Sequence, residues 1–318
     1  MSSFPTAPAG EAVLLINLGT PDEPTAPAVR RYLAQFLGDP RVVELPRWLW
    51  LPILYGAILP RRPAASAAKY AKIWTPEGSP LRVHTRAQAT QLAERLAPQG
   101  IAVDWAMRYG TPAIGEVLDR LAAKAKRISI VPLYPQFAAS TTASVEDDID
   151  AWRARSPGTE LLVVRDFHQD TGYVAALAAQ LRDHWTANGP CDRLLMSFHG
   201  LPQRAVDRGD PYRDQCAATA EALARAAGLS PGHWQLTFQS RFGAARWLQP
   251  YSVEVLRQWG REGVGRVDVI CPGFVADCLE TLEEMGLEGR EAFLEAGGRD
   301  YRLISCLNER PEIGRAHV

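Results

Sequence analysis

Lysine is almost absent: the 318 residues hold four (Lys69, Lys72, Lys124, Lys126) against 31 arginines. The skew reads as coding preference, and it creates no basic excess, since 35 Lys+Arg stand against 36 Asp+Glu. Without that excess the chain lacks the counterion-release footprint of a general nucleic-acid binder. Cysteine is sparse too. Cys191, Cys216, Cys271, Cys278 and Cys306 are odd in number and widely spaced in a chain large enough to build its own cores, so they read as reduced thiols of a cytoplasmic protein. The apolar run at 12–18 is short, has no basic segment ahead of it and meets Gly-Thr-Pro, which predicts a buried strand and no secretion leader. No G-x-G-x-x-G follows a strand, and G-x-x-x-x-G-K-[ST] and G-x-S-x-G are missing, so a dinucleotide enzyme, a P-loop NTPase and an α/β-hydrolase are unsupported.

What is present is an ordinary globular composition, 47% hydrophobic and 22% charged, in a length that suggests about two domains at roughly 150 residues each. Short Val/Ile/Leu-rich runs alternate with stretches of helical period. Strands are expected at 12–17, 101–108, 128–133 and 161–164, then at 193–198, 234–239, 266–270 and 301–305. Helices fit at 79–97, 112–125 and 144–155, then at 171–187, 211–227, 253–259 and 278–285. This βαβα rhythm, occurring twice, predicts an α/β protein of two Rossmann-like domains, each a four-stranded parallel sheet flanked by helices. They are placed at 1–166 and 167–318, joined near 166–170 by a link that can itself be helical, with the last helix able to pack back on the first domain.

In open parallel sheets ligands sit beyond the carboxyl ends of the strands. Here those ends carry Gly19-Thr20-Pro21, Arg108-Tyr109-Gly110, Tyr134-Pro135-Gln136, His199-Gly200, Ser240-Arg241 and Pro272-Gly273-Phe274. Turn chemistry explains the Gly and Pro but not the aromatic and basic side chains. His199 follows a buried-type strand and precedes Gly200, a setting for proton abstraction near neutral pH or for metal ligation. His84, His168, His184, His233 and His317 have no comparable setting and read as structural or surface. In CPGFVADCLETLEEMGLEG (271–289), Glu280, Glu284 and Glu288 would form one row on a continuous helix. That row is either a solvated acidic face or a path for a divalent cation or for protons. The seven-position offset of Cys271 and Cys278 fits zinc or iron–sulfur spacing only loosely, so buried thiols explain them better.

One segment departs from the rhythm. Residues 46–63, PRWLWLPILYGAILPRRP, contain an uncharged run at 48–60 with Trp48, Trp50 and Tyr55. It falls short of the about 20 apolar residues of a spanning helix. It can instead lie on a membrane interface or pack on its domain, with Arg61 and Arg62 able to meet anionic headgroups or ligand carboxylates.

The strings LLINLGTPD (14–22), YPQFAASTT (134–142), SFHGLP (197–202), RGDPY (208–212), QSRFG (239–243), WLQP (247–250) and CPGFVADCLETLEE (271–284) together closely resemble the ferrochelatase family, from about residue 12 to Asn308. The resemblance implies insertion of Fe²⁺ into a porphyrin, protoporphyrin IX favoured, with release of two protons to form haem. It implies His199 and Glu280 as catalytic residues, and His199, Glu280, Glu284 and Glu288 as groups that meet the metal. Leu18, Arg108, Tyr109, Trp247 and Phe274 would line the macrocycle, and Arg62 and Ser79 would hold its propionates. Segment 46–63 resembles the family's hydrophobic lip, implying peripheral contact with the inner face of the cytoplasmic membrane. Porphyrin and ferrous iron are then the partners, with no nucleic acid and no permanently bound cofactor. Ala138 and Ala139 stand where animal-type [2Fe-2S] members carry a cysteine in the YPQ motif, so that cluster is not expected. Cys278 replaces a second histidine of many relatives. A coproporphyrin ferrochelatase and a non-catalytic tetrapyrrole-binding protein are the alternatives.

Overall fold

A computed structural model describes residues 10–312. Residues 1–9, read above for a leader, and His317 lie outside the described residues. The chain forms two compact units: one takes it to Leu133 and then Ala139–Asp166, and the other holds Tyr134–Ala138 and the chain from Phe167. The five residues 134–138 thus belong with the second unit, a crossing that a single boundary at 166 does not include.

The first unit is built on β1 (Glu11–Gly19), whose Leu14, Leu15 and Ile16 are fully buried. A strand apolar on both faces must be central, and β1 lies between β2 (Ala102–Tyr109) and β3 (Arg127–Pro132), with β4 (Glu160–Val163) at the edge. All pairings are parallel, so helices make the crossovers: Pro80–Leu96 before β2, Ile114–Ala122 before β3 and Ser144–Arg153 before β4. Helix Ile114–Ala122 shows the logic of each crossover, turning Ile114, Val117, Leu118 and Leu121 onto the sheet at helical spacing.

The second unit repeats the order. β5 (Arg193–His199) lies between β6 (Trp234–Gln239) and β7 (Arg266–Ile270), and β8 (Asp300–Leu303) is the edge. Its crossovers run through Tyr212–Ala226, Ser252–Arg261 and the segment Glu280–Glu295. A core of Leu195, Leu256, Trp259, Val267, Val269, Met285 and Phe293 fills one side of this sheet. Every expected strand is present within about two residues of its expected ends.

Two expectations are corrected. The link at 164–170 is turn and irregular chain, because Pro135 O accepts from Phe167 N and Asp170 caps the following helix through Tyr173 N. The helix expected at 278–285 is instead a π-helix, Glu280–Gly289, continued by the α-helix Arg290–Glu295. Residues 271–278 before it are turn and bend, and Asp277 ties their end down. That buried carboxylate accepts from Thr281 Oγ1, Asn308 Nδ2 and the Cys306 backbone, so it serves the tail after β8 as much as the helix start. Among the described residues no helix follows β8, whose continuation runs through turns to Glu312.

Candidate functional site

The carboxyl end of β5 presents His199. Its Nδ1 lies 2.7 Å from the Gly200 carbonyl oxygen, which can only accept, so Nδ1 carries a proton and the neutral ring holds its lone pair on Nε2. Gly200 is needed for its size: a Cβ there would meet the Gln239 carbonyl at 2.7 Å and the Trp247 ring at 3.2 Å. Trp247 pairs with Pro202 in a short bridge, and its buried indole N–H has no acceptor among the described residues.

Beside β5, the end of β6 grips the π-helix. Gln239 accepts from Ser197 Oγ at 2.6 Å and donates to the Glu280 carbonyl at 2.7 Å. Ser197 and Thr237 both bond Ser252, so the strand ends share one buried polar network. Ser240 follows with φ +65° and donates twice to Glu284, through its backbone N at 2.7 Å and its Oγ at 2.5 Å. Burial pushes the Glu284 carboxyl above the ordinary 4.5, a shift that repulsion from Glu280 adds to, while the Ser240 bonds and nearby His199 favour the ionised form.

The row of carboxylates is present but differently wound. In a π-helix, bonded i to i+5, residues four apart fall short of a full turn, so Glu280, Glu284 and Glu288 stay near one another around the axis. Glu280 and Glu284 are half-buried and Glu288 is exposed. Among the described residues no group of three or more His, Cys, Asp or Glu side chains converges to hold a metal ion. These four residues therefore form no closed cage. Burial pushes the Cys271, Cys278 and Cys306 thiols well above their usual value, at Cys278 with the Glu280 charge adding to it, which keeps them neutral. Phe274 packs on the core of the second sheet.

In the first unit, Leu18 is half-buried at the end of β1, its N–H donating to Asn17 Oδ1. Arg108 and Tyr109, expected to line the macrocycle, are bound inward. Asp39 Oδ2 accepts from Arg108 at 2.8 Å, Tyr109 OH at 2.7 Å and Ser144 Oγ at 2.6 Å, and Arg108 also reaches Asp148. Tyr109 is 2% exposed. Ser79 is buried and accepts from Thr20 Oγ1 at 2.8 Å, while Arg62 lies on the exposed side of the helix Leu59–Ile73. The segment 46–63 is helical, with a π-turn at Leu54–Ile58. One face anchors it through buried Trp50, which donates to the Leu37 carbonyl, and through Leu54 and Leu59. The other leaves Trp48 78%, Tyr55 53% and Ile53 40% exposed. It contains no helix long and apolar enough to cross a membrane, nor does any other part of the described chain.

Sequence reasoning missed Asp39, which in Gly-Asp-Pro looks like a turn residue, and Gln239 and Ser240. The place of Ser240, directly after a strand at its ligand-facing end, was the available signal.

Two parallel sheets of identical strand order, one with a histidine at a strand end and half-buried carboxylates on the π-helix tied to the neighbouring strand, define a Rossmann-like metal chelatase. Solved structures agree on the fold. SirB from Bacillus subtilis with Fe³⁺ superposes with a TM-score of 0.54 at 15% identity, covering 96% of this chain and 92% of that one. The sirohydrochlorin chelatase SirB from Bacillus subtilis subspecies spizizenii, in complex with cobalt, gives 0.53 at 12% identity over 96% and 92%. A family model described as ferrochelatase matches residues 10–316. Among curated relatives, the ferrochelatase of Azoarcus sp. (strain BH72) is 59% identical over 94% of this chain and 84% of its own. That of Stenotrophomonas maltophilia (strain R551-3) is 54% identical over 96% and 95%. The chain belongs to the ferrochelatase family.

Proposed function

We propose that this chain inserts Fe²⁺ into protoporphyrin IX, with both pyrrole N–H protons leaving as the metal takes their place. One Fe²⁺ and one neutral porphyrin give one iron(II) porphyrin and two protons. The observation that carries the reading is the fixed tautomer of His199, which offers the Nε2 lone pair as acceptor for a pyrrole proton. Glu280 and Glu284, half-buried on one wide helical turn, hand over the metal, and exposed Glu288 begins their row. An open set of one imidazole and carboxylates suits a divalent cation in transit, because no closed coordination shell has to be dismantled to release it.

Leu18, Trp247 and Phe274 supply apolar contact to the macrocycle, and Trp247 brings a donor that has no partner among the described residues. Arg62 and Ser79 hold propionates; Thr20 donates into Ser79 Oγ, which leaves the serine proton to be donated to a carboxylate. Arg108 and Tyr109 act as the rigid backing of that region through Asp39. Contact energy spent on bending the ring exposes the nitrogen lone pairs, a use of remote binding at the reacting centre. No resident cofactor is needed, and the neutral buried thiols fit packing better than cluster ligation.

The amphipathic face of 46–63 lies against a membrane surface, with the protein otherwise in the cytoplasm. Trp48 and Tyr55 suit the interface and Arg61 and Arg62 the headgroups. Flotation with anionic liposomes tests this: Trp48→Ser with Tyr55→Ser abolishes co-flotation, and unchanged flotation removes the lip from the account. The function itself is tested by anaerobic incubation with Fe²⁺ and protoporphyrin IX, followed by visible absorption. Multiple turnovers are expected; turnover with coproporphyrin alone would reassign the substrate, and stoichiometric binding without metal insertion would make the protein a carrier.

A further inference from the structure

In the first unit the chain leaves β2 through a left-handed residue, Gly110, at φ +91°. In the second it leaves β6 through Ser240 at φ +65°. The two turns differ by one position: Gly110 is the third residue after Met107, whose N donates to the Pro112 carbonyl, and Ser240 is the second after Phe238, whose N donates to the Pro250 carbonyl. Glycine takes the left-handed conformation without steric cost, whereas a residue with a Cβ is disfavoured there by roughly 1–2 kcal/mol. A serine kept where glycine would fold more easily needs a compensating role, since strain of this kind persists where the surroundings over-determine it.

The compensation is visible. The left-handed turn aims both donors of Ser240, N–H and Oγ–H, at the same carboxylate, that of Glu284, at 2.7 and 2.5 Å. The preceding residue, Gln239, bonds the backbone of Glu280 one π-turn earlier, and the two lie beside His199, which is the β5 partner of Gln239. Two consecutive residues at the end of β6 therefore fix one turn of the π-helix against the histidine strand. Gln239 fixes its backbone, and Ser240 fixes a side chain.

We infer that Ser240 is a positioning residue for metal insertion: its hydroxyl holds the Glu284 carboxylate in the orientation from which ferrous iron is passed on. This rests on the reading of Glu284 as a group that meets the metal. The role separates stability from activity, because removing the hydroxyl relaxes the backbone while releasing the carboxylate.

Ser240→Gly makes that separation, since it keeps the backbone N–H donor and loses only Cβ and Oγ. The assay is steady-state metal insertion with Fe²⁺ and porphyrin varied independently, alongside thermal unfolding. The expected result is a fall in kcat/KM for Fe²⁺ of about tenfold or more, a porphyrin KM within about twofold of wild type, and an unfolding midpoint no lower than wild type. Because Ser240 acts through Glu284, Ser240→Gly combined with Glu284→Gln should be no slower than Glu284→Gln alone. A Ser240→Gly enzyme with wild-type kcat/KM for Fe²⁺ overturns the inference. So does a loss that affects both substrates equally together with a lowered midpoint, which would make Ser240 purely structural. A wild type that binds porphyrin but inserts no metal overturns the functional reading, and this inference with it.

Discussion

Leu18-Gly19 at the end of β1 and His199-Gly200 at the end of β5 occupy the same register: Asn17 pairs with Met107 and Phe198 with Phe238, one residue earlier in each case. Around the first pair the polar groups are saturated from within, with Asp39 gathering Arg108, Tyr109 and Ser144. Around the second, His199 makes no hydrogen bond through Nε2 among the described residues, Glu284 takes two bonds from Ser240 while burial pushes its carboxyl upward, and Ser240 sits in a conformation it does not favour. On the proposed reading, the same βαβ scaffold serves once as a braced wall and once as a reactive edge. Topology fixes where a ligand can sit; which edge does chemistry is decided by whether the polar groups there are left a free valence.

The difference can be broken from the braced side. Asp39→Ala leaves the Arg108 guanidinium and the Tyr109 hydroxyl without their shared acceptor in a buried setting, and a destabilisation of about 3–5 kcal/mol in denaturant unfolding is expected. A smaller effect comes from Gly110→Ser, which places on the first unit the residue type found at Ser240. A Cβ at Gly110 would meet the Thr20 carbonyl at 3.0 Å and gains no carboxylate partner, so a loss of roughly 1–2 kcal/mol is expected with turnover per folded molecule unchanged. Equal stability of this variant would show that the left-handed turn costs nothing, and would weaken the contrast with Ser240.

The smallest effect is on the reactive side and depends on pH. The folded-state pKa of Glu284 is raised, so the folded protein holds its proton more tightly than the unfolded chain does. The stabilisation from protonation is fully present below the ordinary value of 4.5 and is lost as pH rises through the raised folded-state value. Glu284→Gln removes the buried charge. Its unfolding midpoint should exceed that of wild type at pH 7, and the gain should vanish as pH falls toward 4.5. A midpoint lowered at pH 7 would mean that the Ser240 bonds outweigh the burial of the charge.

The strand positions and the place of His199 at a strand's carboxyl end were legible because hydrophobic runs and a Gly directly after a strand are local signals. The winding of 280–289 was not, since the i, i+4, i+8 carboxylates suit an α-helix and a π-helix alike; the tie of Gln239 to the Glu280 carbonyl, 41 residues away, is a tertiary contact. The family resemblance gives Arg108 and Tyr109, the last residues of β2, as lining the macrocycle. Their inward turn depends on Asp39, 69 and 70 residues earlier, which no periodicity reveals. Ser240 was visible as a strand-end residue, but its role needed the backbone angle.

The account stands on the reactive edge being the second one, and the matched pair Leu18 and His199 tests this most directly. Anaerobic turnover with Fe²⁺ and porphyrin would be measured for Leu18→Ala and His199→Ala at saturating substrate. The account predicts a fall in kcat of about 10²–10⁴-fold for His199→Ala with porphyrin still bound, and no more than about tenfold for Leu18→Ala, chiefly in KM. A His199→Ala enzyme that turns over at the wild-type rate, or a Leu18→Ala enzyme with the larger loss in kcat, would contradict it.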